Sequence, residues 1–135
     1  MDFRNKVIAS YQHQPHLLGK KGEAEAARYL LTCGYEILER NWRTSSGELD
    51  IIALAKGGEG HEARELVFIE VKTRSSLRFG DPFDAITPEK YRRVYILARE
   101  WIAIHQLRAP WRIDVILLVK NGTGFDIVHH KGLIA

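Results

Sequence analysis

The segment from Leu66 to Arg74, LVFIEVKTR, restricts the choice of fold more than any other part of the chain. It begins with apolar residues, several of them β-branched or aromatic, as in a strand near the centre of a sheet. Because side chains alternate along a strand, Glu70, Lys72 and Arg74 share the face of Phe68. Charged groups that are partly buried at the end of such a strand are costly unless each has a partner. The sequence therefore has to supply partners for Glu70 and Lys72.

A second strand supplies a partner for Glu70. The segment ELDIIALA, residues 48–55, is rich in β-branched residues, and residues 56–65 form a short connection rich in glycine and charge. Such a connection favours an antiparallel hairpin, in which the numbers of opposed residues have a constant sum, here about 120. Asp50 then lies opposite Glu70, with the two Cβ atoms roughly 4.5–5.5 Å apart.

Two carboxylates at that separation repel each other, and a divalent cation between them turns the repulsion into attraction. Mg²⁺ commonly binds one or two carboxylates together with water and phosphate. Asp50 and Glu70 are therefore candidate metal ligands, and Glu48, two residues before Asp50, is expected on the same face. A purely structural interpretation is also open at this point, in which Lys72 forms salt bridges with Glu48, Asp50 and Glu70.

The first helical pattern is GKKGEAEAARYLLTCGY, residues 19–35. It consists mostly of good helix formers, and Gly34 is a typical C-terminal stop. Its apolar stripe contains Glu23, which the pattern directs toward whatever the helix packs on, whereas Glu25 lies on another face. Cys33, the single cysteine, falls on the stripe and is predicted to be buried.

The remaining elements complete an α/β domain. Residues 87–107, TPEKYRRVYILAREWIAIHQL, form a second helix that Thr87 can cap, with Pro88 at the first helical position. YEILERNW precedes the hairpin as a strand, WRIDVILLV and FDIVHH follow the second helix, and Asp114 is expected to pair with a basic group. The order α-β-β-β-α-β-β predicts a mixed β-sheet flanked by helices. Residues 1–15 are predicted to be a loose arm, which leaves 16–135 as one domain.

Composition indicates the compartment and the class of partner. The apolar runs are far shorter than the ~20 residues that span a bilayer, and the N-terminus lacks the apolar stretch of a secretion signal, so a cytoplasmic protein is expected. The net charge of +3 permits a polyanionic partner. Several basic residues are candidates for contacts with a nucleic-acid backbone. Arg74 and Arg78 lie near the end of the third strand, Lys90, Arg92 and Arg93 at the start of the second helix, and Arg40 and Arg43 before the hairpin.

Several segments together resemble a known family. GELDIIAL followed by LVFIEVKTR looks like the PD-(D/E)xK nuclease superfamily, which has the restriction-endonuclease-like fold. With GKKGEAEAARYLLTCGYEILERNWR, FGDPFDAITPEKYRRV and WRIDVILLV, the chain is similar over about residues 17–120 to the YraN-like family of uncharacterised bacterial proteins. The resemblance implies a restriction-endonuclease-like mixed sheet flanked by helices, close to that of Holliday-junction resolvases.

The resemblance also implies a metal-dependent nuclease with a role for each residue. Asp50 and Glu70 map onto the carboxylates that hold Mg²⁺ or Mn²⁺ in such enzymes. Lys72 maps onto the lysine that orients the attacking water and stabilises the charge developing on phosphate. Glu23 maps onto a helical glutamate that often joins the site, with Glu25 as the fallback and Glu48 as an accessory acid.

The implied substrate is DNA, including branched or otherwise structured forms, and the likeness to resolvases implies a homodimer. The superfamily takes its name in part from a Pro-Asp pair, and at the corresponding position this chain has Leu49-Asp50. A protein that keeps the fold and binds nucleic acid without cleaving it is the alternative.

Overall fold

The structure is a computed structural model that describes residues 14–56, 64–76 and 86–133. Within these residues, two helices and five strands follow one another in the predicted order, α-β-β-β-α-β-β. They are α1 (Gln14–Thr32), β1 (Glu36–Thr44), β2 (Gly47–Leu54), β3 (Leu66–Arg74), α2 (Pro88–His105), β4 (Trp111–Asn121) and β5 (Gly124–His130). Arg78 and the first thirteen residues of the predicted arm lie outside the described residues.

The strands form a single mixed sheet in the order β1-β2-β3-β4-β5. Strands β3 and β4 are parallel, whereas the other three neighbouring pairs are antiparallel. In the β2–β3 hairpin Ile51 lies opposite Ile69 and Leu54 opposite Leu66, so the predicted register is confirmed. The same register puts Asp50 and Glu70 at the next opposed position.

Each face of the sheet is covered by one helix. On the α1 side, Ala26 and Leu30 pack against residues of the four strands β2 to β5, among them Ile51, Ile69 and Ile116. On the α2 side, aliphatic and aromatic residues of the helix pack against β2, β3 and β4; the buried set comprises Val94, Leu97, Ala98, Trp101, Leu49, Ile52, Leu66, Phe68 and Ile113. A five-stranded sheet held between two helices buries the centres of β2, β3 and β4.

Helix α1 begins at Gln14, five residues before the predicted start. The sequence QPH looks like a loop, but proline is tolerated in the first turn of a helix, where its missing N–H has no partner to lose. The helix ends as predicted, with Gly34 in the left-handed region at φ 87°. Cys33 is exposed rather than buried because it follows the last helical residue, where the chain turns away from the core.

Helix α2 has the predicted start. Thr87 adopts an extended conformation and its Oγ1 accepts a hydrogen bond from the backbone N–H of Lys90 at 3.2 Å, with Pro88 in the first turn. Neither described helix combines the length and the apolar composition needed to cross a membrane.

Candidate active site

Asp50 lies where the hairpin between β2 and β3 stops pairing. The last backbone pair of the ladder is Ile51 with Ile69. One step further along, the N–H of Val71 donates to Oδ2 of Asp50 at 2.8 Å. Leu49 and Ile51, which strict alternation would put on one face, pack in different cores, so β2 turns at Asp50. The Asp50 carboxylate consequently reaches the neighbouring strand.

Asp50 and Glu70 occupy the opposed positions that the hairpin register predicted, one step beyond the Ile51–Ile69 pair. Burial, the Glu70 carboxylate and the more distant Glu48 raise the pKa of Asp50 to about 7, against the lowering effect of the Val71 N–H. A pKa raised by a neighbouring carboxylate indicates two acids that cannot both ionise cheaply without a cation.

Lys72 lies beside this pair. Its Nζ is 3.5 Å from Oε1 of Glu70, and the side chains of Lys72 and Glu70 are 21% and 15% exposed. The three groups are thus partly covered yet reachable from solvent. This arrangement suits a hydrated ion and a phosphate better than it suits a sealed structural salt bridge.

We expect Asp50→Asn to stabilise the protein at alkaline pH in the absence of divalent ions. Because the folded-state pKa of Asp50 is raised to about 7, its stabilising contribution is present at acid pH and is lost as the pH rises through 7. Asparagine removes the repulsion and keeps an oxygen for the Val71 N–H. The gain in unfolding free energy at pH 8.5 should be about 1–3 kcal/mol.

Urea denaturation of both proteins at pH 5 and pH 8.5, in EDTA, measures this effect. The gain should be larger at pH 8.5 than at pH 5, and Mg²⁺ should stabilise the wild-type protein more than the variant. A gain in unfolding free energy at pH 8.5 that only equals the gain at pH 5, or a loss of stability at pH 8.5, would show that Asp50 and Glu70 do not repel each other.

Glu23 reaches the site from α1, as its place on the helical stripe predicted. Burial first, and then the charges of Asp50 and Glu48, raise its pKa. With its amide oriented so that the nitrogen donates, Asn41 bonds to Glu23 Oε2 at 3.2 Å and to Glu48 Oε1 at 3.0 Å. Arg40 is the nearby cation that partly offsets the pKa shift of Glu23. A second group of acids therefore adjoins Asp50 on the β1 side.

The other predicted acids and cations differ in whether they lie near the site and in which side chain each one pairs with. Glu25 is not in the site, since its carboxylate pairs with Arg28 at 2.9 Å on the helix surface. Glu48 accepts a bond from Arg43 at 2.9 Å. Lys90, in the first turn of α2, is near enough to Lys72 for that ammonium group to be the main cause that lowers the pKa of Lys90.

Two open pockets meet at Glu23 and Gly19. One, of about 670 Å³, is lined by α1 and β1 residues that include Lys20, Arg40 and Arg43. The other, of about 430 Å³, follows the end of β3 past Lys72, Thr73, Arg74 and Ser75. Each side of Glu23 thus has open space with basic side chains in its lining.

Gly22 allows α1 to pack closely on β3 and so positions Glu23. A Cβ atom at this position would lie 2.0 Å from Oγ1 of Thr73 and 3.1 Å from both its Cβ and Cγ2. Rotation of the threonine side chain alone does not clear the space, because its Cβ is close as well. We expect Gly22→Ala to lower the unfolding free energy by about 1–3 kcal/mol.

Gly19, one turn earlier in the same helix, is the matched control. A Cβ there has no neighbour within 4 Å, so Gly19→Ala should raise the unfolding free energy by about 0.4–1 kcal/mol. Urea denaturation of the two variants should therefore give effects of opposite sign. Equal gains from both alanines would mean that α1 is not held against Thr73.

The donor set fits a hard divalent cation. Asp50 and Glu70 offer carboxylate oxygens, and Mg²⁺ characteristically takes one or two carboxylates and fills its remaining positions with water and phosphate. Within residues 14–56, 64–76 and 86–133, no group of three or more His, Cys, Asp or Glu side chains has the geometry to hold a metal ion.

Two features of the site were missing from the sequence prediction. Asn41 has φ 53° and lies opposite Asp50 across the β1–β2 ladder, between the Arg40–Ile51 and Trp42–Leu49 pairs. Asparagine is enriched in this left-handed conformation, and that preference was the one available signal. The proximity of Lys72 and Lys90 brings together residues far apart in sequence, and no local pattern indicates it.

Known proteins are similar in sequence to this chain over most of its length. A family model described as "Uncharacterised protein family UPF0102" matches residues 22–118. A UPF0102 protein of Pseudarthrobacter chlorophenolicus is 45% identical over 119 residues, which cover 87% of this chain and 85% of that protein. Relatives from Phocaeicola vulgatus (43% over 111 residues; 82% and 86%) and Chlorobium limicola (41% over 115 residues; 84% and 84%) carry the same description. The matched range contains Glu23, Glu48, Asp50, Glu70 and Lys72, whereas Lys20 lies just before it.

Proposed function

This chain belongs to the uncharacterised protein family UPF0102, the YraN-like family that its sequence resembles, and we propose that it is a metal-dependent nuclease that hydrolyses phosphodiester bonds of DNA. The observation that carries the proposal is the position of Asp50 and Glu70 where β2 and β3 stop pairing, with Lys72 Nζ 3.5 Å from Glu70 and both of these side chains partly exposed.

Each group has a chemical task in such a reaction. Asp50 and Glu70 would hold Mg²⁺ or Mn²⁺, which when bound supplies Lewis-acid polarisation of phosphate and a water of lowered pKa. Lys72 would stabilise the negative charge that develops on phosphate, because its amine lies beside the two candidate metal ligands. Glu23, held near Asp50 by α1, can orient a water molecule through a hydrogen bond. The Val71 N–H fixes the direction of the Asp50 carboxylate.

The surrounding charge favours a nucleic acid as the substrate. Arg74 lines the pocket beyond Lys72, and Lys20, Arg40 and Arg43 line the pocket on the other side of Glu23. Cations on both sides of a cluster of carboxylates can bind phosphates on both sides of the bond to be cleaved. Such contacts neutralise backbone charge without reading the bases, so binding should be insensitive to sequence and should weaken with salt.

A cleavage assay tests the proposal. Labelled duplex, single-stranded, flap and four-way DNA should each be incubated with the protein in Mg²⁺, in Mn²⁺ and in EDTA. The proposal expects cleavage of at least one substrate with either ion and no cleavage in EDTA. Binding of DNA without cleavage under every condition would instead favour a non-catalytic nucleic-acid-binding protein.

A further inference from the structure

Gly19 lies inside helix α1, where the packing of the chain does not require a glycine. Within a helix, glycine costs about 0.5–1 kcal/mol relative to alanine because it loses more backbone freedom on folding. Gly22 has a structural reason, since a Cβ atom there would lie 2.0 Å from Oγ1 of Thr73. At Gly19, a Cβ atom would have no neighbour within 4 Å among the described residues beyond its own helix. The missing side chain at this position therefore has no explanation in the fold itself.

The position of Gly19 relative to the two open pockets suggests a reason. Gly19 lines both the pocket of about 670 Å³ on the β1 side and the pocket of about 430 Å³ on the β3 side, and so does Glu23. These two residues are four apart in α1, so they lie on the same face, one turn from each other. The pockets are thus separated by a single helical turn that has a carboxylate at one end and bare backbone at the other.

Basic side chains line the pockets on both sides of this turn. They are Lys20, Arg40 and Arg43 in the β1-side pocket and Lys72 and Arg74 in the β3-side pocket. A nucleic-acid strand carries a negative charge on every phosphate, so a strand that reaches both groups of cations has to cross α1 between them. Its phosphates are repelled by the carboxylate of Glu23. The crossing with least hindrance is over Gly19, where no side chain occupies the space.

We propose that one strand of the DNA substrate runs from the β1-side pocket to the β3-side pocket across α1 at Gly19, and that the absence of a side chain there allows the strand to contact both groups of cations at once. The identity of the strand as DNA rests on the proposed function. The described linings of the two pockets contain no aromatic ring. The strand is therefore held through its sugar-phosphate backbone and not by bases stacked on aromatic side chains.

The test places an uncharged side chain in the crossing. Gly19→Gln leaves the net charge unchanged, and glutamine is a better helix former than glycine, so the melting temperature should equal or exceed that of the wild type. Binding of fluorescein-labelled DNA is measured by fluorescence anisotropy in EDTA at several NaCl concentrations. We expect the affinity to fall by about tenfold or more and to depend less steeply on salt, because the phosphate contacts in one pocket are lost.

Two further variants make the comparison specific. Ala24→Gln introduces the same side chain at an exposed position of α1 that lines neither pocket, and it should bind DNA as the wild type does. Gly19→Ala adds a single methyl group, so its affinity should lie between those of the wild type and Gly19→Gln. A loss of affinity that grows with the size of the side chain, in proteins no less stable than the wild type, separates a role in binding from a role in folding.

The outcomes distinguish this path from the proposed function. If the wild type binds and cleaves DNA and Gly19→Gln does so with the same affinity and the same salt dependence, the path is overturned and the nuclease stands. An equal loss of affinity in Ala24→Gln, or a melting temperature lowered by Gly19→Gln, would also overturn the path. A wild type that neither binds nor cleaves any DNA substrate would overturn the proposed function, and the path with it.

Discussion

Replacing Lys72 with methionine is expected to lower the rate of metal-dependent DNA cleavage by about 10²–10³-fold, the usual effect of removing one group that stabilises a transition-state charge. Methionine keeps an apolar stem of similar length, so the packing between β3 and its neighbours should survive. What is lost is the ammonium group 3.5 Å from Glu70. That group is partly shielded from water, which makes its interaction with a phosphate stronger than it would be on an open surface.

The measurement is single-turnover cleavage of the best substrate in saturating Mg²⁺ or Mn²⁺. Lys120→Met, a matched change at an exposed position at the end of β4, serves as the control and should cleave at the wild-type rate. Circular dichroism and a melting curve should show both variants folded. Cleavage by Lys72→Met at the wild-type rate would place the activity elsewhere or in a contaminant, and the proposed site would have to be abandoned.

The same variant separates the two candidate functions. In a nuclease, Lys72→Met retains most of its affinity for DNA, because Arg74, Arg43 and Lys20 remain, but it cleaves DNA far more slowly than the wild type. In a protein that only binds nucleic acid, the wild type shows no turnover to lose. An assay of binding by fluorescence anisotropy, at two salt concentrations, therefore belongs beside the cleavage assay.

The sequence predicts the core of the site because that core is local. Asp50 and Glu70 are twenty residues apart on two strands joined by one connection, and the constant sum of paired numbers in an antiparallel hairpin brings them together. Glu23 follows from the period of a single helix. Thr87 and Pro88 define the start of α2 by the chemistry of helix caps alone.

The parts that escaped prediction depend on how elements pack. The proximity of Lys90 to Lys72 depends on how α2 packs on the sheet, where its residues Val94, Leu97 and Trp101 are part of the core. Cys33 was wrongly predicted to be buried because helical periodicity was extended one residue past the end of the helix. Asn41 bridges two acids because its backbone adopts the left-handed conformation at the position in β1 that lies opposite Asp50.

Asp114 shows the contrasting case, a charge whose role is structural. It is 0% exposed, and the sequence predicted only that it pairs with a basic group. That expectation is confirmed: Arg112 Nε donates to Oδ1 at 2.9 Å, and His129 Nε2 lies 2.7 Å from Oδ2. The N–H of Gly132 also donates to Oδ1 at 2.9 Å, which ties the segment after β5 to β4.

We expect Asp114→Asn to lower the free energy of unfolding by about 3–5 kcal/mol, because it leaves the guanidinium of Arg112 without its buried partner and sets an amide NH₂ among donors. Although burial raises the pKa of Asp114, the bonds from His129 and Arg112 bring it below its usual value. The stabilisation is therefore present above the ordinary pKa of aspartate and is lost as the pH falls through the folded-state pKa, so the variant should lose most at neutral pH.

Urea denaturation at pH 7 measures the loss, with Asp126→Asn as the control. Asp126 is exposed on β5 and accepts a bond from Asn121, so its replacement should change the unfolding free energy by less than about 0.5 kcal/mol. The same Asp→Asn substitution should thus stabilise at Asp50 and destabilise at Asp114, because one carboxylate faces another acid while the other faces Arg112 and His129. A loss at Asp114 no larger than that at Asp126 would mean that the buried network contributes nothing net to the fold.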